Sequence, residues 1–266
     1  MNISKLKKNQ ILINGTVLDP YNETEKKADV HIENGKIKQI GKISAPKNSE
    51  VVECDNLIRS IILKEFPNDG FFGEETLQIK GTSSDIWLVD PIDGTKAFVR
   101  QYPFFSTQIS LMRNGQIILG VSCGTMFDEI MYAEIGKGAW LNGKRIKVSD
   151  VNKFSEAAIS TGNLRSLTQS NGWQALGSLI YDSDRIRGYG DFYHYHLLAS
   201  GKLDAVIESD VNILDIAALS IIVSEAGGVF TDILGNELTL DTTSVIAANS
   251  NLHSKLVNRF KDLIGP

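Results

Sequence analysis

The sequence is poor in the features that mark several classes of protein. Its 266 residues include two cysteines and six prolines. Cys54 and Cys123 have neither the spacing of a metal motif nor that of a disulfide framework. Because free thiols are the default in a reducing compartment, we expect a cytoplasmic protein.

Basic runs and long apolar runs are also absent. The net charge is −5, so we expect neither nucleic acid nor a membrane surface as a partner. No apolar stretch reaches the roughly 20 residues needed to cross a bilayer, and no apolar core follows the N-terminal lysines as in a signal peptide. The composition, 42% hydrophobic and 22% charged, is typical of a globular protein with a large core.

The most informative stretch is a short apolar run that ends in two carboxylates. Ile86–Val89 predicts a buried strand, and Asp90 and Asp93 follow it. Carboxylates at a strand end suit a hard divalent cation such as Mg²⁺. Gly94 permits unusual dihedral angles, and Thr95 can begin a helix whose free N–H groups would suit a phosphate.

Taken alone, this stretch is more consistent with an ordinary turn than with a catalytic site, because Asp-Pro and Asp-Gly are common turn dipeptides. Two other segments favour the functional interpretation. Gly73-Glu74-Glu75 lies upstream after two phenylalanines, and Asp215 opens a strongly apolar helical segment downstream.

Together, these blocks resemble the inositol monophosphatase superfamily of Mg²⁺-dependent, lithium-sensitive phosphatases, over about residues 59–266. The resemblance implies an α/β (α+β) fold layered as an α-β-α-β-α sandwich. It also implies Mg²⁺ as the cofactor, a small phosphorylated substrate as the partner, and a homodimer as a common assembly.

Residues 1–57 differ from the rest of the sequence: their pattern predicts short strands, with turns at Asn14-Gly15 and Asn34-Gly35. They resemble the N-terminal strands of dihydroorotase-like amidohydrolases, so we predict a division into a β segment, residues 1–57, and a phosphatase domain, residues 58–266. The sequence thus resembles a chimera. An amidohydrolase activity is not expected, because no His-x-His strand follows.

The resemblance implies the following metal site. One Mg²⁺ would be held by Glu74, Asp90 and the backbone carbonyl of Ile92. A second would be held by Asp90, Asp93 and Asp215. Two structural alternatives stay open: Glu74 could face solvent, and Asp215 could serve only as a helix cap.

The resemblance also implies the remaining catalytic roles. Thr95, with Glu74, would orient the attacking water, and the N–H groups of Gly94 and Thr95 would hold the phosphate. The family has a further water-orienting Asp whose expected position falls near Val51, which is not acidic. Asp55 is the nearest carboxylate, but its spacing is wrong and we assign it no role. An alternative from another class is therefore a non-catalytic relic that binds metal or phosphate without turnover.

Substrate choice is predicted to depend on Asp191 and Glu208. Asp191, in Gly190-Asp191-Phe192-Tyr193, resembles the histidinol-phosphate phosphatase branch of the family. Two carboxylates would favour a cationic leaving group through charge-assisted hydrogen bonds. Inositol phosphate and other small sugar phosphates stay open, as do a helix-capping role for Asp191 and a solvent-facing Glu208. His194 and His196 lack ligand spacing and are interpreted as structural.

Overall fold

The protein is described by a computed structural model that covers residues 9–19, 24–33, 36–41, 50–52, 54–74 and 78–264. Side chains are described for residues 55–74 and 78–262. The predicted Asn34-Gly35 turn and Glu75 lie outside these ranges.

The described residues form sixteen strands and six α-helices. The strands are β1 (Asn9–Asp19), β2 (Thr24–Glu33), β3 (Lys36–Gly41), β4 (Glu50–Val52), β5 (Gly70–Gly73), β6 (Asp85–Asp93), β7 (Ser106–Arg113), β8 (Gln116–Gly124), β9 (Glu129–Glu134), β10 (Gly138–Leu141), β11 (Lys144–Ile146), β12 (Ala158–Thr161), β13 (Arg185–Arg187), β14 (Ala205–Ser209), β15 (Gly228–Asp232) and β16 (Ser244–Asn249). The helices are α1 (Cys54–Glu65), α2 (Thr95–Val99), α3 (Gly172–Asp182), α4 (Asp191–Ala199), α5 (Ile213–Glu225) and α6 (His253–Ile264).

The N-terminal strands form a sheet of their own, in the order β3-β2-β1-β4. The predicted turn at Asn14-Gly15 is wrong, because β1 runs through it and the pairing with β2 shifts register between Leu12 and Gly15. An Asn-Gly pair suits such a β-bulge as well as a turn, since both can need a left-handed residue. The first helix begins at Cys54, inside the range predicted for the N-terminal β segment.

Two larger sheets form the body of the protein. One has seven strands in the order β11-β10-β9-β8-β7-β6-β5, and the other has five in the order β13-β12-β14-β16-β15. Helix α1 covers the outer face of the seven-stranded sheet, where Ile62 packs with Trp87 and Val89. Helices α4 and α5 lie between the sheets, while α3 and α6 cover the five-stranded one. The expected α-β-α-β-α sandwich is therefore confirmed.

Helix α5 shows why the centre of the sandwich is helical. Ten of its thirteen residues are buried, because it contacts a sheet on each side and has almost no solvent face. Its N-terminus, which carries Asp215, points to the same end of the molecule as Asp93 at the end of β6. Within the described ranges, no helix is long and apolar enough to cross a membrane.

Candidate active site

The two carboxylates at the end of β6 are brought together by a β-bulge. Asp90 pairs with Gln108 and Asp93 with Ser106, so three steps along β6 oppose two steps along β7. Residues three apart on a regular strand point to opposite faces. The bulge, which includes Pro91, adds one residue to β6. This extra residue returns Asp93 to the face of the sheet that Asp90 occupies.

Asp215 completes an acidic cluster with these two residues. One carboxylate oxygen from each of Asp90, Asp93 and Asp215 lies within 4.8 Å of the other two. Asp90 and Asp93 are 2% and 7% exposed, and Asp215 is half-buried. Three segments that are distant in sequence therefore place hard oxygen ligands at one point.

The electrostatics of this cluster are unfavourable while the carboxylates are ionised. Burial raises the pKa of Asp90 well above its usual range, and the charges of Asp93 and Glu74 add to this effect. Burial likewise raises the pKa of Asp93, with further contributions from Asp215 and Asp191. The pKa of Asp215 is raised to about 6, mainly by burial. Desolvation and like charges are the two causes that disfavour an ionised carboxylate.

A divalent cation fits this donor set. The ion pairs found within the described part of the chain do not involve Asp90, Asp93 or Asp215. Buried carboxylates are normally paired or bound to a metal. Convergent carboxylate oxygens are the ligands that Mg²⁺ prefers.

Glu74 and Ile92 lie beside the cluster. The Glu74 side chain is exposed, yet it hydrogen-bonds to Asp90 and thereby raises the pKa of that residue. The Ile92 N–H donates to Asp90 Oδ1 at 2.9 Å, which fixes the turn after Asp90. Glu74 is therefore directed to the cluster, although it is not among the three residues that converge there.

Gly94 and Thr95 form the start of α2. Gly94 has a φ of 80°, and a side chain there would collide with the carbonyl oxygen of Phe104. The position therefore requires glycine. Thr95 Oγ1 donates to the Ile92 carbonyl at 3.0 Å, which leaves its oxygen lone pairs available to accept a hydrogen bond.

Asp215 both caps its helix and takes part in the cluster. Asn212 is the N-cap of α5, and Asp215 returns a hydrogen bond to it in a capping box. Asp215 Oδ2 accepts from the Asn212 N–H at 3.0 Å, and Oδ1 accepts from Asn212 Nδ2 at 2.8 Å. These bonds fix the carboxylate in place, so the capping role does not compete with the position in the cluster.

Asp191 and Glu208 line one cavity with Asp93 and Asp215. Gly190 is the N-cap of α4, so Asp191 does not hold the capping position. Burial, with a contribution from the charge of Glu208, raises the pKa of Asp191 to about 6. Glu208 is 4% exposed, so the solvent-facing alternative is wrong. Four carboxylates thus surround a single cavity.

Glu208 is held by groups that the sequence analysis missed. Tyr195 donates its hydroxyl to Glu208 Oε2 at 2.8 Å, and His194 Nε2 lies 3.1 Å from the same oxygen. The Asn163 N–H donates to Oε1 at 3.3 Å. A side chain at Gly162 would occupy the space of the Glu208 carboxylate. Nothing in the sequence distinguishes these partners from ordinary core residues, because they come from two separate segments, the loop after β12 and helix α4.

One carboxylate from the N-terminal end of α1 reaches the segment that precedes Glu74. Asp55 is buried, and a Cβ atom placed on Gly73 would lie 2.5 Å from Asp55 Oδ1. Val51, at the position expected for the family's additional Asp, lies in β4. Asp55 thus lies against Gly73, the residue before Glu74, on the face of β5 that Phe71 also occupies.

Comparison with known proteins agrees with this architecture. The model of the inositol monophosphatase family matches residues 20–264. A histidinol-phosphatase of Chlorobaculum parvum is 32% identical, over 77% of this chain and 79% of the relative. A fructose-1,6-bisphosphatase/inositol-1-monophosphatase of Thermotoga maritima is 33% identical, over 80% of this chain and 81% of the relative. The crystal structure of the extragenic suppressor protein suhB of Bartonella henselae superimposes with a TM-score of 0.73 at 31% identity, covering 78% of this chain and 83% of that one.

A layered sandwich with an acidic cluster at a strand end defines the class as a phosphatase fold with a candidate metal centre. The chain belongs to the inositol monophosphatase family. The expected family is thereby confirmed. The division at residues 57 and 58 and the chimeric origin stay predictions.

Proposed function

We propose that the protein hydrolyses a phosphomonoester with a cationic leaving group, with histidinol phosphate as the substrate and Mg²⁺ as the cofactor. The observation that carries this proposal is the pair of carboxylates Asp191 and Glu208, which line the same cavity as Asp93 and Asp215. Charged groups in a low-dielectric cavity select strongly for an opposite charge on the ligand.

The acidic cluster would hold the metal through Asp90, Asp93, Asp215 and Glu74, with the Ile92 carbonyl as a further ligand. Bound Mg²⁺ would neutralise phosphoryl charge, activate water and assist the departing alkoxide. Binding would also offset the burial and the like charges that raise the pKa values of Asp90, Asp93 and Asp215.

The chain's own groups have three tasks in this proposal. Thr95 Oγ1, whose proton is committed to the Ile92 carbonyl, accepts a hydrogen bond from the attacking water on the Glu74 side. The N–H groups of Gly94 and Thr95 bind the phosphate at the start of α2. Asp191 and Glu208 bind the cationic part of the leaving group.

A second candidate substrate is inositol 1-phosphate. Relatives at similar identity carry the names histidinol-phosphatase and inositol-1-monophosphatase. Glu208 could accept hydrogen bonds from the hydroxyl groups of a neutral sugar. A homodimer and a cytoplasmic location remain expectations, and sedimentation of the purified protein would test the first.

The test is phosphate release from histidinol phosphate and from inositol 1-phosphate, with Mg²⁺ and with EDTA. We expect Mg²⁺-dependent release that is lost in Asp93→Asn. Asp191→Asn should raise KM for histidinol phosphate about tenfold, because a charge-assisted hydrogen bond is worth roughly 1.5–3 kcal/mol. The same variant should change KM for inositol 1-phosphate much less.

Other outcomes would redirect the proposal. Faster turnover of inositol 1-phosphate, unchanged by Asp191→Asn, would assign the protein to the sugar-phosphate branch. Metal binding without release from any substrate would support the non-catalytic relic.

A further inference from the structure

A line of buried polar side chains runs through the interior from the acidic cluster, along the seven-stranded sheet, to the start of β9. It consists of six residues on four strands and one helix, here called the polar line: Asp93, Ser106, Gln108, Ser122, His196 and Glu129. Only Glu129, at the start of β9, is partly exposed.

The contacts along the polar line are continuous. Ser106 Oγ donates to Asp93 Oδ2 at 2.8 Å. Gln108 Nε2 donates to Ser106 Oγ at 2.7 Å and to Ser122 Oγ at 3.0 Å, and it lies 3.4 Å from Asp93 Oδ2. His196 Nε2 is 2.8 Å from Ser122 Oγ, and His196 Nδ1 is 2.9 Å from Glu129 Oε2.

With Asp93 and Glu129 ionised and His196 neutral, the chemistry of these groups fixes the direction of every hydrogen bond. The two ends, Asp93 and Glu129, are carboxylates that only accept hydrogen bonds when ionised. His196 must therefore donate Nδ1–H to Glu129, so its Nε2 accepts the proton of the Ser122 hydroxyl. Gln108 is the one group that donates twice, once toward each end, and the direction of donation reverses there.

The environment of His196 agrees with this arrangement. Burial lowers the pKa of His196, and the hydrogen bond from His196 lowers the pKa of Glu129. A neutral imidazole and an ionised carboxylate are the states that the donor and acceptor assignment requires.

The polar line is costly for a structure that needed only a stable core. His196 and Ser122 are 1% and 0% exposed. Gln108 Oε1 is buried without a hydrogen-bond partner among the described residues, which costs roughly 1–3 kcal/mol. Apolar residues would fill the same space without that cost. We therefore attribute the presence of Gln108 to the two hydrogen bonds that its side-chain nitrogen donates, to Ser106 and to Ser122.

We propose that the polar line positions Asp93 Oδ2 for metal binding, with Ser122, His196 and Glu129 acting through Gln108 and Ser106. The inference rests on the metal dependence in the proposed function. Outer groups that orient a metal ligand typically change metal affinity or activity by about 10–100-fold when they are removed.

The test uses metal binding to the purified protein, followed by Mn²⁺ electron paramagnetic resonance without substrate. Ser122→Ala removes a hydroxyl that lies three hydrogen bonds away from Asp93 along the polar line, and we expect Mn²⁺ affinity to fall about tenfold. The matched control is Ser110→Ala. Ser110, on β7, is buried like Ser122, and its hydroxyl has no hydrogen-bond partner among the described residues. This control should change the affinity less than about twofold, since it leaves the polar line intact.

A conservative variant separates positioning from packing. Ser122→Thr keeps the hydroxyl and should retain most of the affinity, whereas Ser122→Val, of similar volume, should lose it as Ser122→Ala does. Glu129→Gln, at the partly exposed end, provides a variant that does not disturb the core. It should weaken Mn²⁺ binding in the same direction, because a neutral amide anchors His196 less strongly than a carboxylate.

The outcomes distinguish the two proposals. If the wild-type protein binds no Mn²⁺, the proposed metal-dependent function fails. If the wild type binds Mn²⁺ and the folded Ser122→Ala and Glu129→Gln variants bind it equally well, the function stands and the positioning role is refuted.

Discussion

Replacing Asp215 by asparagine should stabilise the metal-free protein while abolishing its response to metal. The pKa of Asp215 is raised from 3.8 to about 6, so the folded state holds a proton more tightly than the unfolded state. Stability from this group is therefore present at low pH and is lost as pH rises from about 4 to about 6. At pH 7.5 Asp215 is ionised, so the folded state bears the full free-energy cost of its buried charge.

The size of this stabilisation follows from the pKa shift of Asp215. A change of about two pKa units, at about 1.4 kcal/mol each, corresponds to about 3 kcal/mol. Asparagine keeps an oxygen that can accept from the Asn212 N–H, but it loses the carboxylate bond to Asn212 Nδ2, which offsets about 1 kcal/mol. The net gain of about 2 kcal/mol corresponds to a rise in Tm of about 4–8 °C.

Differential scanning calorimetry at pH 7.5, in EDTA and in Mg²⁺, would measure both the stability of the metal-free protein and its response to metal. The wild type should gain about 3 kcal/mol of stability when Mg²⁺ reaches roughly 100 times its Kd, and Asp215→Asn should gain almost none. Lowering the pH to 5 should shrink the advantage of the variant in EDTA and also the Mg²⁺ response of the wild type, because protons compete for the carboxylates.

Asp241→Asn, at an exposed loop position, removes the same charge elsewhere and should leave Tm within about 1–2 °C of the wild type. If Asp215→Asn is less stable than the wild type in EDTA at pH 7.5, the cluster is not repulsive. Burial and like charges would then not destabilise the ionised form of Asp215.

Two further predictions concern the supports of the site. Gly73→Ala places a methyl group 2.5 Å from Asp55 Oδ1 and should lower the free energy of unfolding by about 1–3 kcal/mol; Gly177→Ala, in open space within α3, should raise it by about 0.5–1 kcal/mol. Urea unfolding would measure both, and equal effects would exclude close packing of Asp55 against Gly73. Tyr195→Phe removes a hydroxyl that donates to buried Glu208 and should cost about 1–3 kcal/mol while raising KM for histidinol phosphate; an unchanged KM would separate Glu208 from substrate binding.

The seven-stranded sheet illustrates where local patterns mislead. Ser106, Gln108 and Ser110 alternate with Thr107, Ile109 and Leu111 along β7, a pattern that normally marks a solvent face. All three are buried, because this face of the sheet turns inward toward the acidic cluster and α5. The pattern correctly predicts a strand, with side chains alternating between two faces. Whether each face is buried or exposed depends on which elements pack against it.

His194 and His196 illustrate the same limit on a helix. Both are buried in α4, which agrees with their interpretation as structural residues. His194 meets Glu208 from β14, while His196 meets Ser122 from β8 and Glu129 from β9. No spacing in the sequence relates these partners, since they are joined only when α4 packs between the two sheets.

The family, and with it the layered fold, could be predicted because the blocks around Glu74, Asp90–Thr95 and Asp215 occur in a recognisable order and spacing. Only the folded chain shows that Asp215 closes the cluster from α5, that Glu208 is buried against Tyr195, and that a polar line reaches Asp93 from Glu129. Each of these is a contact between distant segments, fixed by the bulge in β6 and by the packing of α4 and α5 between the sheets. Local propensity carries no information about such contacts, since their energy appears only when the layers assemble.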